Sequence, residues 1–137
     1  MTECRLARVR RDVRTGGFET VGGYARAVRV GSIVAVSGTA ATRADGEVLH
    51  PGDAYLQTRA AFERALAALH ELGGEPGDVV RKRIFLIPGA DWRRSVDAHR
   101  ELFGEVPPAN TTLFVAALIP DGALVEVEVD AVVGQIT

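Results

Sequence analysis

The apolar positions of this chain change period along its length, and the changes mark its elements. Ala25 and Ala27 alternate with Arg26, and Arg29 precedes Val30. Gly31-Ser32 is a turn signal, and a short continuous apolar run follows over 33–36. Together these predict a β-hairpin whose second strand ends at Ser37-Gly38. Residues 43–46, with Asp45-Gly46, form a further turn signal. Beyond Asp53, a good N-cap, the period becomes helical. Phe62, Leu66 and Leu69 share a face with Ala65 and Leu72, while Arg59, Glu63 and Glu71 lie away from it. This predicts an amphipathic helix over 54–72, stopped by Gly73-Gly74 and kept from resuming by Pro76. A β-rich stretch covers 79–87 and closes at Pro88-Gly89. Asp91 caps a second helix that runs to Phe103, with Trp92, Val96 and Phe103 on one face. Pro107-Pro108 then hold the chain extended. Residues 111–119 read as a strand that is apolar on both faces, and Pro120-Asp121-Gly122 turn into a final strand over 124–133.

The predicted order is β-β-α-β-α-β-β, with a further strand over 6–9 compatible with the pattern. Long helices between strands suggest an α+β fold: a mixed sheet with both helices on one face. The chain of 137 residues forms one domain, with its ordered body starting near Tyr24 and residues 1–20 a partly flexible N-terminal segment. The other sheet face is left bare, yet the 111–119 strand needs cover on both sides. Other copies of the same chain, packed as a closed ring, would supply it.

Composition narrows the function classes. The formal net charge of -2 excludes a strongly basic nucleic-acid footprint. Cys4 is the single cysteine, so an intrachain disulfide framework and a Cys-based zinc site are excluded. His50, His70 and His99 are too scattered to suggest a metal motif. No run approaches the roughly 20 apolar residues of a membrane span. Residues 1–14 are Arg-rich but lack the apolar core of a secretory signal, so a cytoplasmic location is expected.

Candidate chemistry concentrates in the last strand. Val125, Val127 and Val129 point one way; Glu126, Glu128 and Asp130 point the other. Such a row is either a solvated or ion-paired face, or a face from which one carboxylate lines a cleft as an acid or base. Spacing does not choose between them. Ser37-Gly38 is a strand terminus or a place where backbone approaches a ligand. Tyr24 either packs its ring or offers its hydroxyl to a cleft. Asn110 reads as a turn residue, Thr112 as a strand former and His99 as a helix-surface or packed histidine.

Four stretches together resemble the RidA family, also called the YjgF/YER family. They are Gly22-Gly23-Tyr24, Val34-Ala35-Val36-Ser37-Gly38, Gly77-Asp78-Val79-Val80, and Pro108-Ala109-Asn110-Thr111 leading to Val125-Glu126-Val127-Glu128. The resemblance spans residues 21–133. It implies a chorismate-mutase-like α+β domain, a homotrimer with clefts between subunits, and no metal or organic cofactor. The activity it implies is hydrolysis of reactive enamine or imine intermediates with release of ammonia. Residue by residue, Glu126 matches the cleft glutamate that positions or activates water, and Tyr24 a cleft tyrosine. Ser37 and Gly38 match the substrate-contacting segment. Thr112 stands where many members have cysteine.

Asn110 stands where the deaminating members have an arginine that grips the substrate carboxylate. A neutral, shorter side chain cannot form that two-pronged ion pair. The loss weakens carboxylate affinity by about ten- to a hundredfold. The expected function is therefore an enzyme acting on an imine, enamine or related carbonyl intermediate other than the usual amino-acid-derived imine. The alternative is a non-catalytic small-molecule-binding or regulatory trimer. A ribonuclease or translation-inhibitor role, also attached to the family, fits poorly with the near-neutral charge and the absence of a basic aromatic surface. The expected partners are thus a small molecule and further copies of the chain, with neither nucleic acid nor membrane.

Overall fold

The computed structural model describes residues 9–134. Six strands form one mixed sheet: β1 (Arg10–Val13), β2 (Ala27–Val30), β3 (Ile33–Ala40), β4 (Val79–Leu86), β5 (Ala109–Phe114) and β6 (Val125–Val132). The spatial order is β1-β2-β3-β6-β4-β5. All neighbours are antiparallel except β4 and β5, which are parallel. A parallel pair needs a long crossover, and helix α3 (Trp92–Phe103) supplies it. Helix α2 (Ala54–Glu71) packs on β3 and β6, and α3 packs beside α2. A short α1 (Phe18–Gly22) precedes β2.

The mixed sheet with both long helices on one face is the architecture the sequence predicts. Three boundaries differ. Order begins well before Tyr24, because Arg10–Val13 already pairs antiparallel with Ala27–Val30 and α1 follows. Of the strand expected over 6–9, residues 6–8 lie outside the described residues, as does Cys4, and Val9 precedes β1. Strand β5 stops at Phe114, short of the predicted Ile119, because β4, its one hydrogen-bonded neighbour among the described residues, ends at Leu86 opposite Phe114.

The core lies between the sheet and the two long helices. Val125, Val127, Val129 and Ala131 point into it with Val34, Val36, Ile84 and Leu86. Phe62 of α2 is fully buried and meets Phe103 of α3 edge-on, with ring centroids 5.1 Å apart. Removing such a ring typically costs about 3–5 kcal/mol. Asp53 caps α2 by accepting from the Leu56 amide at 2.9 Å. The buried face of α3 is Ser95, Ala98, His99 and Phe103, a rotation from the Trp92-Val96-Phe103 stripe expected. Polarity explains it. Ser95 is drawn inward by a hydrogen bond from Thr58 (2.8 Å) between the helices, leaving Trp92 exposed.

Two buried polar side chains fix the ends of the layers. Gln57 of α2 accepts from the Leu124 amide at 2.8 Å and donates to the carbonyls of His50 and Gly122. It thereby pins the entry of β6. Arg29 donates to the carbonyls of Gly31, Leu72 and Gly134, at 2.8, 2.6 and 3.3 Å. Its charge sits at the C-terminal end of α2, where the helix dipole is negative. Gly73 adjoins it at φ +91°, and a Cβ there would stand 2.9 Å from the guanidinium.

His99 is buried and its Nε2 has no hydrogen-bond partner among the described residues. Burial, with Lys82 and Arg100 nearby, pushes its pKa down from 6.5 to about 4. The folded imidazole is therefore neutral while the unfolded chain takes up a proton first. Its contribution is fully present above about pH 6.5 and is lost as pH falls toward 4. Denaturant titrations at pH 7 and pH 5 should show wild type losing more stability than His99→Leu, by up to about 2 kcal/mol. Equal losses in the two proteins would contradict the assignment.

Candidate functional site

The register of β3 against β6 breaks between Val36 and Thr39, and Ser37 and Gly38 fall in the break. A bulge of this kind bends the strand and re-aims its side chains. The Ser37 hydroxyl donates to the Ala25 carbonyl at 2.7 Å, and the Ser37 amide donates to the Arg26 carbonyl at 2.9 Å. The Gly38 constraint is space. A Cβ there would lie 3.1 Å from Glu126 Oε1 and 3.2 Å from its Cδ, so the carboxylate rests directly against this glycine. Tyr24 is half-exposed, its ring packed so closely on Gly22 that a Cβ would meet Cε1 at 2.7 Å.

Arg26 joins these residues. It is only 6% exposed, its Nη2 donates to the Gly38 carbonyl, and its guanidinium lies 5.9 Å from the Tyr24 ring centroid. Its Nε is buried without a hydrogen-bond partner among the described residues. Glu19 lies within its field and is also held by Thr15, whose amide and hydroxyl donate at 2.9 and 2.6 Å. Arg64 of α2 donates to the Ala40 carbonyl (2.6 Å) and to the Thr42 hydroxyl (2.9 Å). Ala40 is in turn the strand partner of Glu126.

The three carboxylates of β6 have different surroundings. Glu128 and Asp130 both pair with Arg83 of β4, each at 3.1 Å. Glu126 forms no ion pair among the described residues. It is half-buried, and burial raises its pKa above 4.5; Arg26 opposes the rise and Glu128 adds to it. A carboxylate of this kind can exchange a proton closer to neutrality than an ordinary one.

Asn110 and Thr112 sit elsewhere. Asn110 pairs in register with Lys82, and Thr112 with Ile84, whose side chain is in the core. Lys82 Nζ donates to Asn110 Oδ1 at 3.1 Å, and Asn110 Nδ2 donates to Thr112 Oγ1 at 2.9 Å. Glu126 instead shares its sheet face with Glu128 and Arg83. One chain therefore brings Tyr24, Ser37, Gly38 and Glu126 together, and leaves Asn110 and Thr112 on the opposite face at the β5 edge.

The sequence does not single out Arg64, Glu19 or Lys82, and it leaves open whether Arg26 or another arginine enters the cleft. Alternation sets Arg26 opposite Ala25 and Ala27, yet all three are buried. An arginine between two small apolar residues was the available signal. Glu19 and Arg64 carried none, since their partners come from distant parts of the chain. Among the described residues no three His, Cys, Asp or Glu side chains group as metal ligands, and no helix is long and apolar enough to cross a membrane.

The profile of the family described as Endoribonuclease L-PSP matches residues 16–133. The chain is 40% identical over 128 residues to the uncharacterized protein SCO2049 of Streptomyces coelicolor, covering 92% of this chain and 94% of the relative. It is 36% identical over 104 residues to 3-aminoacrylate deaminase RutC of Acinetobacter baylyi, covering 76% and 82%. Among solved structures it resembles Rv2704 of Mycobacterium tuberculosis, a member of the YjgF/YER057c/UK114 family. The TM-score is 0.82 at 39% identity, over 91% of this chain and all (100%) of that one.

The field of Arg26 on Glu126 is open to direct measurement. In Arg26→Gln the Glu126 carboxyl should titrate higher than in wild type, where burial already holds it above 4.5. Carbon-detected NMR titration reads this, with Glu126→Gln identifying the resonance. Coincident curves for the two proteins would show that Arg26 does not act on the carboxylate.

Proposed function

The chain belongs to the endoribonuclease L-PSP family, that of the YjgF and RidA proteins, and on that premise we propose that it acts on a small imine, enamine or related carbonyl intermediate at a cleft between subunits. The observation that carries this reading is Glu126: of the three β6 carboxylates it alone lacks an arginine partner among the described residues, and it rests on Gly38. In this reading Glu126 takes a proton from water as the oxygen adds to the imine carbon and gives it to nitrogen, forming a carbinolamine. It then carries the hydroxyl proton to the same nitrogen as the C–N bond breaks, so the C=O bond forms and ammonia leaves. Tyr24 covers the mouth of the cleft, and Ser37 and Gly38 present backbone to the substrate.

The partition of the site residues supports a ring of copies. Asn110 and Thr112 lie across the sheet from Glu126, so a second copy must bring its β5 edge to complete the cleft. Exposed Leu113 and Phe114 on that edge give such a contact an apolar component. A homotrimer is the assembly proposed. It would work in the cytoplasm on a small molecule, with neither nucleic acid nor membrane as partner and without metal or organic cofactor. The RutC relative is named for an aminoacrylate substrate, which bears a carboxylate. Here Asn110 offers a neutral group in place of an arginine, so the proposed substrate lacks an amino-acid-type carboxylate.

Light scattering should give the mass of three chains; a stable monomer at micromolar concentration would rule the trimer out. Ammonia release from an imine made from serine by a dehydratase should be weak, about ten- to a hundredfold below arginine-bearing members. Turnover equal to theirs would mean that another cation grips the carboxylate. Glu126→Gln should keep the assembly and ligand binding while abolishing turnover. Unchanged turnover would remove the acid/base role and leave a binding site anchored by a glutamate.

A further inference from the structure

Lys82 is the chain's only lysine, and the reaction above gives it no task. It sits in the middle of β4, 4% exposed, with its ammonium 5.5 Å from the Phe103 ring centroid. It forms no ion pair among the described residues. Its hydrogen-bonding partner is Asn110 Oδ1 at 3.1 Å.

The chemistry of the donors fixes the direction of this chain of bonds. An ammonium has three N–H donors and no acceptor, so the Asn110 atom facing it is the oxygen. The amide nitrogen must then point the other way, where it donates to Thr112 Oγ1 at 2.9 Å. A threonine hydroxyl has a single hydrogen. Since Thr112 accepts from Asn110, that hydrogen cannot return along the same bond and is directed elsewhere. Thr112 forms one wall of a cavity of about 230 Å³ whose other walls are Leu86, Trp92, Val96, Leu113 and Phe114. Its hydroxyl is the one oxygen-bearing side chain in that apolar lining.

We propose that Lys82 is a positioning residue: through Asn110 it fixes the Thr112 hydroxyl as a hydrogen-bond donor, so this half of the cleft selects a carbonyl oxygen carried on a small apolar group. The inference deepens the reading of the cleft given above and names its substrate class as uncharged carbonyl compounds. The cavity walls accept the hydrocarbon part. The buried ammonium two bonds away polarises the chain toward the oxygen. Thr112 Oγ1 keeps a second lone pair, so a donor on the ligand is tolerated, while the oriented hydrogen favours an acceptor such as a carbonyl oxygen.

Two probes of similar shape test this by binding alone: cyclopentanone, and methylenecyclopentane, which replaces the carbonyl oxygen by CH₂. NMR titration followed at the indole N–H of Trp92, the chain's only tryptophan, reads both. Thr112→Val keeps the shape and removes the hydroxyl. Lys82→Met removes the donor that orients Asn110. Asn110→Asp keeps a partner for Lys82 but offers no N–H to Thr112, whose hydrogen then turns to the new carboxylate. Each substitution should weaken cyclopentanone about three- to tenfold and leave methylenecyclopentane unchanged. A merely structural role would weaken both probes together, and that result overturns the proposal, as does an unchanged affinity for the ketone in Thr112→Val. Asn110→Asp keeps the test decisive if Lys82→Met fails to fold, because it retains a paired lysine. Turnover does not enter the measurement, so failure of imine hydrolysis leaves the inference standing.

Discussion

The side-chain alternation of β6 separates Val125, Val127, Val129 and Ala131 from Glu126, Glu128 and Asp130, and the other elements are arranged around that separation. β6 is hydrogen-bonded to β3 on one side and β4 on the other. Its valines meet α2, whose Phe62 and Leu69 are fully buried. A shift of one residue in its pairing would turn three carboxylates into that core. The register is therefore held strongly by burial. It is also held at the strand's start, where Gln57 binds the Leu124 amide.

With that register fixed, the polar face of β6 must dispose of three like charges. Arg83 takes two of them. The third, Glu126, is left against Gly38 under the more distant field of Arg26. Burial opposes its ionisation and Arg26 favours it, and this balance makes a proton-exchanging role chemically reasonable. Arg26 itself is buried with an unpartnered Nε, an arrangement that is unfavourable in a purely structural side chain. Arg29, three residues further along the chain, satisfies three carbonyls and serves the fold alone.

The sheet divides the polar groups into two sets. Tyr24, Arg26, Gly38 and Glu126 gather at the bulged end of β3. Lys82, Asn110 and Thr112 form a directed chain of hydrogen bonds at the β5 edge on the other face. A pocket using both sets needs more than one copy of the chain. β5 also carries the exposed apolar side chains of Leu113 and Phe114. The family relationship and the geometry of the single chain thus bear on function from independent directions: one gives the chemistry of relatives, the other the groups available to perform it.

Much of this protein was determined by its sequence. The helical period over α2 and the strict alternation in β6 are local, and burial of one face follows from either pattern without knowledge of partners. The Asp53 cap and the glycine and proline stops acted where they stood. Glu126, Tyr24, Ser37 and Gly38 were legible as candidates because they fall in recognisable stretches, although spacing could not say which β6 acid would go unpaired. That was decided by tertiary structure, since Arg83 lies on a neighbouring strand and its reach depends on register. Arg26 looked like an outward residue of an alternating strand until a bulge in its neighbour and the packing of Tyr24 enclosed it. The inward face of α3 turned toward Ser95 because Thr58, far away in sequence, offered it a hydrogen bond. Lys82 became a directed donor only when β5 was laid parallel beside β4 and put Asn110 opposite it. A periodic pattern needs only its own residues, whereas a charge or a hydrogen-bond direction is set by whatever the fold brings across from elsewhere.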